Sequence, residues 1–337
     1  MEKLITFAIP CYNSAEYMHN CIESLLGVGE DVEIIIINDG SRDNTGEIAD
    51  KYKSEYPDLI KVIHQENGGH GEGVNQGLKN ACGKYYKVVD SDDRLNKEAL
   101  KEVLSRMREH EKNGIETDMY VCNYVYDHWD GSRKKVMRYS NIFPEEKIVS
   151  WDQTKPFGVT QYLMMHSVIY RTQLLKDCKI ELPKHTFYVD NLYMYQPFPY
   201  VNRIYYMNLD LYMYFIGRAD QSVTEENVIK RIDQQLLVTR LMLDSHDLNK
   251  IKEESRRLYR YMIHEIALMV CISSIFLYKS KTKENYEKAD KLWEYIKETD
   301  IKTYRKLRYC TMCALMHLGR KFSVMVYSVV RKVFRFN

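Results

Sequence analysis

Short β-branched runs alternate with amphipathic stretches through the first 120 residues, and this alternation leaves the chain few architectures. Residues 4–9, 32–37, 60–63, 85–89 and 119–125 read as strands, too short and too β-branched for stable helices. Between them, Tyr17, Met18, Cys21, Ile22 and Leu25 recur at helical spacing, as do Ile48, Ala49 and Tyr52. Residues 74–81 form a third helical stretch, and Ala99, Leu100, Val103, Leu104 and Met107 mark a fourth. Strand–helix alternation predicts an α/β fold, a mostly parallel Rossmann-like sheet flanked by helices. Pro10 is expected to end the ladder of the first strand.

From about 126 to 222 the pattern turns irregular and rich in tyrosine, and most of these rings are expected in the core. Beyond Glu225 helical periodicity dominates, first through Ile229, Ile232, Leu236, Leu237 and Leu241, then through Leu258, Met262, Ile266 and Val270. The expected organisation is a catalytic domain over 1–222, with 126–222 as its acceptor part, a helical extension over 223–300 and a basic segment over 301–337. That last segment has no acid after Asp300, yet carries Lys302, Arg305, Lys306, Arg308, Arg320, Lys321, Arg331, Lys332 and Arg335 among apolar residues. Such interleaving suits a membrane surface of anionic lipid; an ordinary packed helix with a solvated cationic face is the alternative. The net charge of +2 gives no overall field for nucleic acid. Eight cysteines at irregular spacing fit reduced thiols in a cytoplasmic setting, and Cys310-x-x-Cys313 lacks a second ligand pair. No stretch reaches the ~20 uninterrupted apolar residues of a spanning helix.

Three strand ends carry chemistry. Ile9-Pro10-Cys11-Tyr12-Asn13 closes the first, where Tyr12 offers a flat ring for stacking on a base or serves as a plain turn tyrosine. Ile37-Asn38-Asp39-Gly40-Ser41 closes the second; Asp39 is an acceptor suited to a ring N–H, or a cap of the next helix. The run Tyr85-Tyr86-Lys87-Val88-Val89 ends in Asp90, Asp92 and Asp93. Three carboxylates crowded at a strand's carboxyl end repel one another unless a hard divalent cation sits among them. An EF-hand loop would need an acid at 94 and glycine at 95, where Arg94 and Leu95 stand. A dehalogenase-type phosphatase would need threonine or valine in place of Arg94. The glycines at 68, 69, 71, 73 and 77 spell neither the dinucleotide nor the phosphate-loop pattern; they allow close backbone approach to a ligand, with His70 or Asn75 beside it, or simple flexibility.

These pieces, ordered and correctly separated over residues 3–100, resemble a family 2 glycosyltransferase with the GT-A fold, of the type that builds bacterial surface polysaccharide. The likeness rests on Phe7-Ala8-Ile9-Pro10-Cys11-Tyr12-Asn13, Asn38-Asp39-Gly40-Ser41-Arg42-Asp43-Asn44-Thr45, Asn75-Gln76-Gly77-Leu78 and Asp90-Ser91-Asp92-Asp93. It implies a nucleoside-diphosphate-sugar donor, expected to be a UDP-sugar, and divalent Mn2+ or Mg2+. It places Tyr12 and Asp39 at the base, with Pro10, Asn13, Asn75 and Ser91 as further donor contacts. Asp90 and Asp92 fall at the ribose, diphosphate and metal, and Asp92 or Asp93 is the expected metal ligand. Two departures stand out: Asn38 replaces a frequent aspartate, and Val74 precedes Asn75 where many members carry arginine. Phe187-Tyr188-Val189-Asp190-Asn191 resembles the segment with the catalytic base, Val189 replacing a glutamate and Asp190 keeping the base position. Gly217-Arg218-Ala219-Asp220 resembles a later segment that closes over the donor, with Arg218 pairing the leaving diphosphate.

The expected reaction is inverting transfer of the sugar to a hydroxyl of a glycan or lipid-linked acceptor, Asp190 acting as base, by a protein peripheral to the cytoplasmic face of a membrane. A sugar nucleotidyltransferase is one rival, although Cys11-Tyr12-Asn13 is not the basic glycine-rich loop it usually carries after strand one. A non-catalytic subunit that binds sugar nucleotides is the other.

Overall fold

The computed structural model describes residues 2–128, 134–216 and 225–334. Two compact units divide the chain: Met1–Lys155 with Leu163–Arg218, and Pro156–Tyr162 with Ala219–Asn337. The first unit is built on ten strands: β1 (Ile5–Cys11), β2 (Val32–Asp39), β3 (Ile60–Gln65), β4 (Tyr85–Val88), β5 (Arg94–Leu95), β6 (Met119–His128), β7 (Lys135–Met137), β8 (Ile148–Val149), β9 (Val168–Arg171) and β10 (Ile204–Ile216). They form one mostly parallel sheet of order β3-β2-β1-β4-β9-β6-β10-β5, with β7 beside β6 and β8 beside β10. The long ladders β1–β2, β2–β3, β1–β4 and β6–β10 run parallel. Short β9 runs antiparallel to both β4 and β6 and joins the two parallel halves.

The central strands read as continuous apolar runs because both faces are covered. Ile34, Ile35, Ile36 and Ile37 of β2 are all fully buried. Helices Met18–Leu25, Thr45–Glu55, His70–Asn80 and Lys97–Lys112 follow successive strands. The Asn96 side chain caps the last of these, accepting from the Glu98 and Ala99 amides.

Pro10 does not end its ladder: β1 continues through Pro10, opposite Ile37, to Cys11, opposite Asn38. Backbone groups alternate sides along a strand, and the Ala8 carbonyl accepts from Val89 on the β4 side. The missing Pro10 N–H would therefore face β4, whose ladder has already stopped at Ala8 and Val88. The tyrosine-rich stretch that reads as irregular supplies β7 to β10. Strands β7 to β9 are short, β10 is long but shifts register against β6, and all pair out of sequence order, so no simple periodicity marks them. Tyr170, Tyr193, Tyr195, Tyr206 and Tyr212 are fully buried, as a core role requires.

The second unit is helical, with Ile232–Asp244, Arg256–Lys279, Lys283–Thr299, Ile301–Cys310 and Arg320–Phe334 as its main elements. Residues 156–162 belong to it: the Phe157 ring stacks on Tyr261 with centroids 4.0 Å apart, and His264 Nε2 donates to the Gln161 carbonyl over 3.0 Å. Helix Arg256–Lys279 is long and apolar enough to cross a membrane, yet most of it is buried within its own unit, where Met262, Ile266, Val270 and Leu277 are fully covered. Cys310 is exposed and Cys313 buried, both as free thiols.

Candidate active site

Strands β1, β2 and β4 all point their carboxyl ends to one edge of the sheet, the edge where open α/β sheets bind ligands. Just past β4, the chain turns at residues 90–93 before β5, and the Asp93 amide closes that turn on the Asp90 carbonyl over 3.0 Å. The turn aims Asp90 and Asp93 at His166, which sits on the 3-10 turn Met165–Ser167 leading into β9. Ligand atoms of these three side chains lie within 4.8 Å of one another. His166 Nε2 is 3.7 Å from Asp90 Oδ2 and 3.8 Å from Asp93 Oδ2.

Aromatic rings hold the imidazole in place. It stacks on Tyr214 with centroids 4.3 Å apart and meets the Tyr212 ring edge-on at 4.6 Å. The Tyr212 hydroxyl donates to Asp93 Oδ2 over 2.7 Å and accepts from the Asp90 amide over 3.1 Å. The Phe215 amide donates to Asp93 Oδ1 over 2.7 Å. On the open side, His70 at the start of helix His70–Asn80 places Nε2 2.8 Å from Asp90 Oδ1.

The electrostatics separate the acids. Burial alone would raise the Asp90 carboxyl, but His70 and His166 beside it hold it well below the usual carboxylate range. Burial, reinforced by the charges of Asp92 and Asp90, pushes Asp93 strongly up. Burial also raises Asp190, at the start of helix Asp190–Tyr195; His166 and His70 oppose this, and Asp90 adds to it. His70 is raised in spite of its burial, chiefly by Asp90, with Asp190 and Asp92 contributing. Acids with pKa values driven apart at one sheet edge are the usual signature of divided acid and base roles. Behind the cluster, Lys87 of β4 is fully buried, and burial lowers its ammonium to about 7.

A divalent cation is the group this set suggests, and the donors fit one. Both His166 ring nitrogens are buried without a hydrogen-bond partner. Carboxylate oxygens and an imidazole separated by 3.7–3.8 Å are too far apart to hydrogen-bond, and near enough to share an ion bonded at about 2.1–2.2 Å.

The other sequence-derived residues fall as follows. Tyr12 stands half exposed beyond β1. Asn13, at φ 50°, accepts from the Arg42 amide over 2.9 Å. Pro10 packs beneath Gly73. The Ser91 and Ser14 hydroxyls are 2.7 Å apart. Asp92, half-buried, shares the turn with the cluster. Asp39 is buried, and its carboxylate accepts from Gln65 Nε2, Asn67 Nδ2 and the amides of Gly68 and Gly69 over 2.7–3.1 Å. Asp43, not Asp39, takes the Thr45 amide that opens the following helix. Asn75 locks both backbone groups of Leu182, donating to its carbonyl and accepting from its amide, each over 2.9 Å. The close approach that the glycines permit is to this same segment: Gly69, at φ 83°, would bring a Cβ within 3.1 Å of the His185 nitrogen. The loop at the end of β3 thus braces the segment leading to Asp190. Arg218 lies outside the described residues. His166 and Lys87 escape sequence reasoning; the only local sign is a histidine just ahead of the strand-like Val168-Ile169-Tyr170, and nothing in it shows that this strand lies beside β4.

Known proteins share this fold. Residues 6–173 match the model of glycosyl transferase family 2. Glycosyltransferase GlyG of Streptococcus pneumoniae is 27% identical over 220 residues, 64% of this chain and 71% of its own. In fold, the chain is similar to S. aureus TarS 1–349 in complex with UDP-GlcNAc, with a TM-score of 0.66 at 21% identity over 98% of this chain and 91% of that one. It is also similar to the mannosyltransferase PcManGT from Pyrobaculum calidifontis in complex with GDP-Man and Mn2+, with a TM-score of 0.52 at 11% identity over 92% and 88%. Sheet order, strand-end acids and these likenesses define a GT-A glycosyltransferase that works on nucleotide sugars. The chain belongs to glycosyl transferase family 2.

Proposed function

We propose that this glycosyltransferase moves a sugar from a UDP-sugar to a hydroxyl of a glycan or lipid-linked acceptor in cell-surface polysaccharide synthesis, with inversion and with a divalent cation. The observation that carries the reading is the gathering of Asp90, Asp93 and His166 at the carboxyl edge of the sheet, with Asp190 in electrostatic reach. Support for the donor comes from TarS, whose fold is shared and whose complex holds UDP-GlcNAc. The Mn2+ in the mannosyltransferase complex supports the cation.

Asp90, Asp93 and His166 would hold the cation, with Asp92 on the same turn as a further ligand. Bound there, it would offset negative charge on the departing diphosphate. Tyr12, exposed past β1, presents its ring to the base. Asp39 sets the 65–69 loop and, through Gln65 and Asn67, shapes the wall of the base site. Asp190 accepts the proton of the acceptor hydroxyl as that oxygen attacks the anomeric carbon, and its raised pKa makes it a stronger base than an ordinary carboxylate. Attack opposite the leaving diphosphate inverts the anomeric centre. Arg218, outside the described residues, is the candidate partner of that diphosphate.

The acceptor end of the reaction is proposed to lie at the cytoplasmic face of a membrane. Helix Arg320–Phe334 carries Phe322, Met325 and Val329, spaced by three and four residues and 39, 54 and 56% exposed, and exposed Lys321 stands in its first turn. That spacing makes one exposed apolar stripe with a basic residue at its start, complementary to anionic lipid.

A donor panel tests the function. Release of free nucleoside diphosphate with a UDP-sugar, abolished by exhaustive chelation and restored by Mn2+, is the expected result. Release of pyrophosphate from a triphosphate would replace this reading with nucleotidyl transfer.

A further inference from the structure

Lys87 occupies a place where packing alone would call for leucine or methionine. It lies in the middle of the sheet, between β1 and β9, and is 0% exposed. Among the described residues no carboxylate comes within 4 Å of its Nζ. An ammonium without a counter-ion at such a depth is costly unless all three of its donors are used. Here they are: Nζ reaches the carbonyl oxygens of His166 at 2.9 Å, Val168 at 3.2 Å and Met165 at 3.5 Å. All three belong to the short turn that delivers the His166 imidazole and to the first residue of β9. The same Nζ sits 4.9 Å from the centroid of the Tyr212 ring, whose hydroxyl donates to Asp93. One side chain therefore touches the backbone support of His166 and the aromatic support of Asp93.

We propose that Lys87 is a positioning residue of the cation site: its ammonium clamps the 165–168 turn and so fixes the His166 imidazole against Asp90 and Asp93. This rests on the reading of that cluster as a cation site. Among the described residues neither His166 ring nitrogen has a hydrogen-bond partner, and the rings of Tyr212 and Tyr214 restrain its plane. The clamp supplies the missing restraint, as hydrogen-bonded outer groups do for metal-binding histidines generally.

A double-mutant cycle tests it. Lys87→Met keeps length and packing but removes charge and donors, and His166→Asn removes the imidazole. Mn2+ affinity is measured by calorimetry on the full chain without donor, folding by circular dichroism, and the His166 ring by its imidazole nitrogen signals in metal-free protein. The expected result is an approximately tenfold weaker Mn2+ affinity in K87M, shifted or broadened His166 signals, and no further loss when K87M is added to H166N. Retention of most of the affinity in Lys87→Arg, which restores charge and donors, completes the expectation. Equal losses in both backgrounds, or wild-type affinity and unmoved His166 signals in K87M, would overturn the proposal. Should K87M fail to fold, Lys87→Gln keeps two donors and is expected to give a smaller loss in the same direction; no loss would count against the clamp. If the wild-type chain binds no Mn2+, the cation reading falls on its own, and the His166 signals in K87M alone decide the clamp: moved signals uphold it and unmoved signals reject it.

Discussion

Asp190 bears the sharpest prediction at the scale of single residues. Asp190→Asn keeps shape and removes basicity, so turnover should drop by about 10²–10⁴-fold while calorimetry shows the UDP-sugar still binding. The sign of the pH dependence follows from the raised pKa: the base works only when ionised, so kcat/KM should fall as pH is lowered through that value. The acid limb should therefore lie above the roughly 3.9 of an ordinary aspartate; a limb at or below it would contradict the assignment. The aspartates after β4 were legible in the sequence because three of them fall within four residues, and repulsion among neighbouring acids needs no structure to be noticed. His166 was not legible. Its relation to Asp90 is created by strand pairing, and one histidine near a short strand carries no mark of its partners.

The element that most shapes the site is the loop between β3 and helix His70–Asn80, together with the segment it braces. The His185 amide donates to the Gly68 carbonyl of the loop over 2.7 Å, and Asn75, on the helix that follows, exchanges two hydrogen bonds with Leu182 of the same segment. Asn75→Ala leaves both backbone groups of Leu182 without that partner and should cost about 1–3 kcal/mol in urea unfolding. Because the braced segment leads to Asp190, kcat should fall more than donor affinity. A fall in donor affinity alone would instead favour direct contact between Asn75 and the donor. The glycines at 69 and 71 were visible as signals for close approach, but the sequence did not say approach to what. Their partner turned out to be the chain's own residues 182–185, a contact between loops more than a hundred positions apart.

For the whole molecule, the alternation of the first 120 residues was enough to foretell the parallel half of the sheet, since each strand there follows its predecessor through a covering helix. The second half was opaque for a topological reason: β9 enters between β4 and β6, and β10 between β6 and β5. The helical unit offers its own test. Full-length chain should co-sediment with vesicles containing phosphatidylglycerol and not with pure phosphatidylcholine, and high salt should weaken the binding. Exchanging Phe322 and Met325 for serine should release it into the supernatant without changing donor hydrolysis in solution. Continued sedimentation of that variant would remove the stripe from consideration.

The placement of β9 also bears on when the protein becomes active during its own synthesis. Asp90 and Asp93 leave the ribosome long before His166, Tyr212 and Phe215, which reach them only through pairings distant in sequence. Contacts of that kind form late and slowly. A nascent chain that has completed only its first 120 residues already owns its acids but has neither the imidazole nor the phenol that set them. The acids thus receive their imidazole and phenol together, with the closing of the sheet.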